Sequence, residues 1–313
     1  MKTIALFPGT DAIEKAEIRK MAFQMKSVKA KVTLTEQIVF KHTGRSLSLP
    51  DYMTQENERS LQGFQKLVLC SLATQVAIFD SYKKSGYKVD VVMGLSLGDI
   101  ARSVVSNIVN YEDAVLLLYK FTELGATVAP GATMQVFLEK PIHEMEETLQ
   151  LEASGLEISV LQNDHFFLIA GGMKEIKNWI GKIATPHQIK YKLMYPFPLH
   201  CKLMDPVSKA LADDIDKACK ADQTLYPIFS TVFAKELKEQ EEILNDSKLN
   251  INSTLRFTDT IKSILDKYKK VKFVSIGPAS TLLKFIEKMD LNVSNIEMED
   301  WFLNTKNIDG LTS

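Results

Sequence analysis

The sequence predicts an α/β protein: a parallel sheet built from the two ends of the chain, with a small ferredoxin-like unit inserted between them. Three observations carry that reading. Val89, Val91, Val92 and Met93 form a short β-branched and apolar run, the pattern of a strand covered on both faces. Gly94-Leu95-Ser96-Leu97-Gly98 follows at once and matches Gly-x-Ser-x-Gly, a sharp turn from strand to helix. From Thr133 to Met194 the chain then alternates strand, helix, strand, strand, helix, strand, the order of a split βαβ insertion.

Taken in order, Thr3 to Phe7 reads as the first strand, broken by Pro8-Gly9-Thr10 where a parallel sheet opens its ligand-binding edge. Asp11 to about Thr43 is mostly helical in pattern, and Ser46 to Asn57 is mostly polar. Leu61 to Tyr82 carries Leu67, Val68, Cys70, Ala73, Ala77 and Ile78 at helical spacing. The Ser96 turn feeds a helix from Asp99 to about Asn107, and Asn110 caps another from Tyr111 to about Gly125, with Glu112 and Asp113 placed for its first-turn dipole. Ala126 to Ala132 reads as a hinge. The insertion has strands Thr133–Phe137, Glu157–Leu161, Phe166–Ile169 and Ile189–Met194, and helices Pro141–Leu149 and Lys174–Ile183. Cys201 to Lys220 resumes helical periodicity, Pro227 to Phe233 is a strand, and Lys235 to Leu249 reads as a polar, solvated connection. Thr258 to Tyr268 is a helix capped by Thr258, Lys272 to Ile276 the last strand, and Ser280 to Lys288 a helix after it. The expected division is 1–127, 128–195 and 196–313, the first and third parts forming the main body.

At 313 residues the chain can bury a large core. Its 38 basic and 39 acidic residues leave a net charge of −1, so no broad electrostatic case exists for nucleic acid or an anionic membrane; a carrier-protein dock needs only a local patch. Cys70, Cys201 and Cys219 are odd in number and lack Cys-x-x-Cys spacing, which fits a reducing cytosol and argues for neither a disulfide framework nor a metal site. No run approaches the ~20 apolar residues of a membrane span, and Ile4 to Phe7 is too short for a signal peptide, so the expected setting is cytoplasmic. Neither Gly-x-x-x-x-Gly-Lys nor Gly-x-Gly-x-x-Gly occurs, which removes the usual phosphate loops.

A Gly-x-Ser-x-Gly turn holds its serine exposed, and the N–H groups opening the next helix face any oxyanion formed beside it; this is the geometry of acyl transfer, with Ser96 as nucleophile. The same letters also describe a plain strand–turn–helix whose glycines only relieve crowding. A serine nucleophile needs a base, and histidine serves because its pKa lies near operating pH. His42, His143, His165 and His187 lie in polar contexts that suit a solvated ring, whereas His200 follows two prolines and opens an apolar helix. No Asp or Glu stands out as the third member of a triad; Asp205, one helical turn past His200, reads as a surface residue. Cys201 reads as a buried structural thiol.

Leu6-Phe7-Pro8-Gly9, Gly94 to Asp99, Phe197 to Met204 and Ile276-Gly277-Pro278 together resemble the malonyl-CoA:acyl-carrier-protein transacylase family, including the acyltransferases of polyketide synthases. The likeness runs from about Ile4 to Ile286, with 104 residues between Ser96 and His200. The resemblance implies an α/β-hydrolase-like large domain with a parallel sheet plus the ferredoxin-like subdomain. It also implies Ser–His acyl transfer between a thioester donor, acyl-CoA or acyl-carrier protein, and a carrier-protein phosphopantetheine, with no bound cofactor. By position, Ser96 is the nucleophile, His200 the base, and the backbone N–H groups of Leu97 and Thr10 the oxyanion hole. A main-chain carbonyl near Asn252 or Ser253 orients the histidine, and Leu95, Phe121 and Leu199 lie at the acyl pocket.

The departures from the family matter equally. Its Gly-Gln-Gly-Ser-Gln loop is here Gly9-Thr10-Asp11-Ala12-Ile13, and Leu95 replaces the common histidine before the nucleophile. The arginine that pairs with a malonyl carboxylate falls on Phe121; Lys120 is adjacent but turned about 100° away on the helix. A buried carboxylate without that cation is costly. The expected function is therefore transfer of acyl groups without a free carboxylate in polyketide or fatty-acid biosynthesis. Hydrolysis of stalled acyl groups from carrier proteins is the alternative at the same site, and an inactive carrier-docking scaffold is a third.

Overall fold

The computed structural model describes residues 1–55, 60–195, 197–220, 224–289, 291 and 293–305. Its strands are β1 (Lys2–Phe7), β2 (Val91–Gly94), β3 (Gly131–Phe137), β4 (Glu157–Asn163), β5 (Phe166–Gly172), β6 (Lys190–Tyr195), β7 (Ile228–Ser230), β8 (Lys235–Leu237), β9 (Leu255–Arg256), β10 (Val271–Ser275) and β11 (Ile296–Glu299). They form two sheets, ordered β11-β10-β1-β2-β7-β8 and β6-β3-β5-β4-β9.

In the larger sheet β11, β10, β1, β2 and β7 run parallel, and β8 closes one edge as an antiparallel partner of β7. Ile4 to Phe7 and all of β2 are buried, as expected for strands covered by helices on both faces. The registers Phe7↔Gly94 and Leu6↔Ser275 bring the carboxyl ends of β1, β2 and β10 to one line, the edge where open α/β sheets hold ligands. One face is covered by the helix Leu61–Lys84, which is apolar nearly all round and packs against the helices Lys26–Thr43, Gly98–Val105 and Tyr111–Gly125. Ser60 caps it by accepting from Gly63 N–H.

The smaller sheet places β6-β3-β5-β4 in antiparallel array, the strand order of a ferredoxin-like unit, with the helices Ile142–Leu149 and Met173–Trp179 on its apolar side. The fold class expected from the sequence is thus the one found. A feature the sequence did not reveal is β9, which comes from beyond residue 250 and adds a parallel fifth strand along β4. The short sheet is therefore stitched to the second half of the main body.

Several local expectations change. Residues 11–43 do not form one helical stretch: Thr10–Ala12 is a 3₁₀ turn, and helices Ala16–Ala22 and Lys26–Thr43 follow. The buried Arg19 donates to the carbonyls of Ile13, Glu14, Tyr52 and Gln55 and so fixes where the first of them starts. Lys235 to Leu249 is no solvated connection but β8 and the helix Gln240–Leu249, whose Ile243 and Asp246 are buried. Thr258 lies inside the helix Phe257–Lys267 rather than capping it, and its hydroxyl donates to Gln162 carbonyl. β10 is not last, since β11 pairs beyond it. Pro196, Asn57 and residues 306–313, which the sequence reading included in its segments, lie outside the described residues. No helix among the described residues is long and apolar enough to cross a membrane.

The packing of β1 against the turn after β2 is close. A Cβ on Gly98 would lie 1.9 Å from the Phe7 carbonyl oxygen, a backbone atom that cannot move aside. Gly98→Ala should therefore destabilise the fold by about 3 kcal/mol or more, as overpacking against backbone does. Urea unfolding checks this, and a loss under about 1 kcal/mol would mean that β1 and the turn can separate freely.

Candidate active site

Ser96 occupies the turn between β2 and the helix Gly98–Val105 with φ = 57°, a left-handed conformation that non-glycine residues seldom adopt. Leu95 N–H donates to the Phe7 carbonyl and Asp99 N–H to the Ser96 carbonyl, so the turn is fixed on both sides. The helix behind it starts at the serine turn, with Gly98, Asp99 and Ile100 N–H donating to the carbonyls of Leu95, Ser96 and Leu97, and its dipole points its positive end at the serine. Neither the Leu97 nor the Thr10 N–H donates to a protein acceptor among the described residues, so both are free for an anion.

His200 lies opposite, also at positive φ (56°) and 7% exposed. The smaller sheet holds the segment leading to it: Thr133 hydroxyl donates to Phe197 carbonyl and accepts from Leu199 N–H, and Ser159 hydroxyl donates to Leu199 carbonyl. His200 N–H itself donates to Ile251 carbonyl. The result is a distance of 2.7 Å between Ser96 Oγ and His200 Nε2. His200 Nδ1 lies 2.5 Å from the Asn250 carbonyl oxygen, which fixes the proton on Nδ1 and leaves Nε2 as the acceptor.

That carbonyl corrects the sequence reading, which placed it at Asn252 or Ser253. The N–H groups of Asn252 and Ser253 both turn back onto Leu249 carbonyl as the chain leaves its helix, and the Asn252 side chain donates to Asp205. The free carbonyl at the helix end is that of Asn250. Asp205 is half-buried and accepts from Asn252, away from His200 Nδ1, while Cys201 is buried as expected, its thiol donating to Pro198 carbonyl. Among the other histidines, His42 pairs with Glu112 at the surface and His165 with Leu138 carbonyl, both away from Ser96.

Beside the pair lies a cavity of about 170 Å³. Its wall is largely apolar, including Phe64, Val68, Leu117, Phe121, Leu211 and Ile215, and Leu95 and Leu199 border Ser96 and His200. Phe121 faces the cavity, whereas Lys120 is exposed and pairs with Asp214. Thr10 is held by a 2.6 Å hydroxyl contact with Tyr195 of β6, whose phenol burial keeps neutral by pushing its pKa up. Asp11, its pKa likewise raised by burial, lines the mouth beside Thr10.

Sequence reasoning missed one group entirely. Arg102, fully buried, donates from Nη2 to Asp246 Oδ2 at 3.0 Å, and its Nε lies 3.3 Å from Asp99 Oδ1. Arg102 is the one Lys or Arg among the described cavity-lining residues, and two carboxylates already face it. The sequence signal was an arginine on the apolar helix that follows the serine turn, a position where burial demands partners.

Burial lowers the His200 pKa to about 4, against which the Asn250 carbonyl acts in part. The unfolded chain takes up that proton near 6.5, so between 6.5 and about 4 the unfolded state binds more protons and stability falls as the pH is lowered. The contribution is fully present above 6.5 and gone below about 4, a span worth about 3 kcal/mol. His200→Gln should lose correspondingly less stability on acidification from pH 7 to pH 4.5, read by urea unfolding at both. Equal acid losses in the two proteins would contradict the burial argument.

Comparisons with known proteins place the chain in a family. The model of the family described as "Acyl transferase domain" matches residues 19–301, which contain Ser96 and His200. The malonyl CoA-acyl carrier protein transacylase of Bacillus subtilis is 23% identical over 236 residues, covering 73% of this chain and 74% of its own. Probable polyketide synthase 40 of Dictyostelium discoideum is 26% identical over 251 residues, where this chain spans 10% of its length. Among solved structures, the malonyl-CoA:ACP transacylase of Synechocystis superposes with a TM-score of 0.79 at 15% identity, covering 96% of both chains. A loading acyltransferase from the avermectin modular polyketide synthase gives 0.77 at 17% identity, covering 97% of this chain and 98% of that one. With its sheet order, its serine turn and a family match over most of its length, the chain belongs to the acyl transferase domain family.

Proposed function

We propose that the protein moves acyl groups between thioesters through an ester on Ser96, with His200 as the base. The observation that carries this is the 2.7 Å contact between Ser96 Oγ and a His200 ring whose other nitrogen is tied to the Asn250 carbonyl. His200 Nε2 takes the hydroxyl proton as Ser96 Oγ attacks the thioester carbonyl, and the Leu97 and Thr10 N–H groups receive the oxyanion. Collapse of the tetrahedral intermediate expels the thiolate, which takes the proton from His200. An incoming thiol then gives its proton to His200 and attacks the ester, and Ser96 leaves with that proton. Asn250 carbonyl supports the transient imidazolium in both halves, the part a carboxylate plays in a Ser-His-Asp triad.

Coenzyme A thioesters and the phosphopantetheine of an acyl-carrier protein are the proposed donor and acceptor, in a cytoplasmic setting of polyketide or fatty-acid biosynthesis; the similar transacylases are named for malonyl-CoA and acyl-carrier protein. An apolar void of about 150 Å³ holds a benzene-sized molecule, so a cavity of about 170 Å³ has room for an acyl chain of roughly six carbons. A free carboxylate is disfavoured there. Phe121 offers no cation, and the charge of Arg102, whose Nε and Nη1 have no hydrogen-bond acceptor among the described residues, is already opposed by the carboxylates of Asp99 and Asp246. An intact serine–histidine pair argues for an enzyme rather than a docking scaffold.

Incubation with acetyl-pantetheine should add one acetyl mass to the protein, and Ser96→Ala should abolish the addition. His200→Ala should slow it by about 10²-fold with the fold intact, as expected on losing a positioned base. An acetyl adduct that persists in Ser96→Ala would reject the assignment. Following both acylated carrier protein and free acid in the same assay separates thiol from water as the group that empties Ser96.

The pocket argument gives a second expectation. Wild type should load acetyl faster than malonyl, and Phe121→Arg should move the preference toward malonyl by about 1–3 kcal/mol, the worth of one charge-assisted contact. Faster malonyl loading by the wild type would show that the carboxylate is matched elsewhere.

A further inference from the structure

The Asn250 carbonyl that meets His200 belongs to the residue capping a helix, where the regular ladder ends and its own peptide unit is held by one long bond, Ile251 N–H to Lys248 carbonyl at 3.4 Å. Helix ends fray, and a carbonyl that swings by an ångström releases the imidazole it orients. The structure supplies a tether. Asn250 Nδ2 donates to Asp99 Oδ2 at 2.5 Å, and Asn250 N–H donates to Asp246 carbonyl at 2.9 Å. Asp99 stands in the first turn of the helix that begins at Gly98, only three residues after Ser96, and is 6% exposed. Behind it Arg102 Nε lies 3.3 Å from Asp99 Oδ1, Arg102 Nη2 donates to Asp246 Oδ2, and Asp246 Oδ1 accepts from the Ser230 hydroxyl.

We propose that Asp99 is a positioning residue: it grips the Asn250 side chain so that the Asn250 carbonyl stays aimed at His200 Nδ1, while Arg102 and Asp246 hold Asp99 in place. This rests on the Ser–His reading of the site. The route is short and closed. The nucleophile turn carries Asp99, Asp99 holds Asn250, Asn250 orients His200, and His200 meets Ser96. One helix thus presents the nucleophile and also sets the direction of its base.

A buried cluster of two carboxylates and one guanidinium is an expensive way to gain stability, because well-packed apolar side chains of the same volume do as well or better. Geometry is what such a cluster supplies. Moving Asp99 away would take a carboxylate from a fully buried guanidinium that has only one hydrogen-bonded acceptor among the described residues, Asp246, so the ion pair keeps Asp99 Oδ2 where Asn250 can reach it.

The test combines rates with a spectroscopic signature that a purely structural role would not move. Asn250→Ala keeps the backbone carbonyl and removes only the tether. Single-turnover acylation of Ser96 by acetyl-pantetheine should slow about ten-fold, with half-saturation unchanged, as a modest misaim of the base predicts. In protein labelled with ¹⁵N-histidine, the downfield Nδ1–H proton resonance of His200 should broaden or vanish. Asp99→Ala should do the same, Asp99→Asn should recover most of that loss because it keeps an acceptor oxygen, and the Asp99→Ala/Asn250→Ala double variant should be no slower than the slower single. Should Asp99→Ala fail to fold, Asn250→Ala and Asp99→Asn carry the test alone. An unchanged rate and resonance in Asn250→Ala, or losses that multiply in the double variant, would overturn the proposal. If His200→Ala itself leaves acylation untouched, the Ser–His reading is what fails, and the resonance still reports on the tether.

Discussion

The site depends first on the Phe7 carbonyl. It accepts from Leu95 N–H, one residue before Ser96, and it touches Gly98, two residues after. A serine at φ = 57° costs on the order of 1–3 kcal/mol and persists only where its surroundings over-determine it. Phe7 does so because it ends β1, which lies between β10 and β2 and cannot shift without breaking both ladders. A cavity-lining turn is thereby given the rigidity of the centre of a sheet.

His200 obtains its position from elsewhere. Thr133 and Ser159, on the smaller sheet, bind the carbonyls and amides that precede it, and Asn250 receives its ring from the end of the helix Gln240–Leu249. The same stretch of chain continues into β9, which joins the smaller sheet along β4. A contact of 2.7 Å between Ser96 and His200 therefore records the agreement of the large sheet, the small sheet and the helix between them. Few such contacts would survive if the smaller sheet hinged freely.

How much of this was legible in the sequence follows from the range of each interaction. Ser96 was legible because its signal is local: a strand, two glycines and a helix within ten residues. His200 was legible through its two prolines and the apolar helix after it. The orienting carbonyl was misplaced by two or three residues because any backbone carbonyl can serve, so no side chain marks the place; only the turn after Leu249 decides it. Arg102 and Asp246 were invisible for a different reason. They are 144 residues apart, and Asp246 sits in a helix whose composition is mostly polar, so it read as solvent-facing when its own carboxylate is fully buried. β9 and β11 escaped because a two-residue strand and an edge strand with charged alternation carry little periodicity.

The altered first loop shows how a departure at one position can be absorbed at another. Gly9-Thr10-Asp11 departs from the loop that the resemblance implied, yet Thr10 still reaches the cavity, and its hydroxyl is clasped by Tyr195 from β6, an edge strand of the smaller sheet. Tyr195 is buried and neutral, so it adds an anchor without adding charge. Phe121 stands in the same wall, and the one Lys or Arg among the described lining residues, Arg102, faces two carboxylates. The wall is therefore mostly apolar, and an apolar group that packs against it releases the water it held.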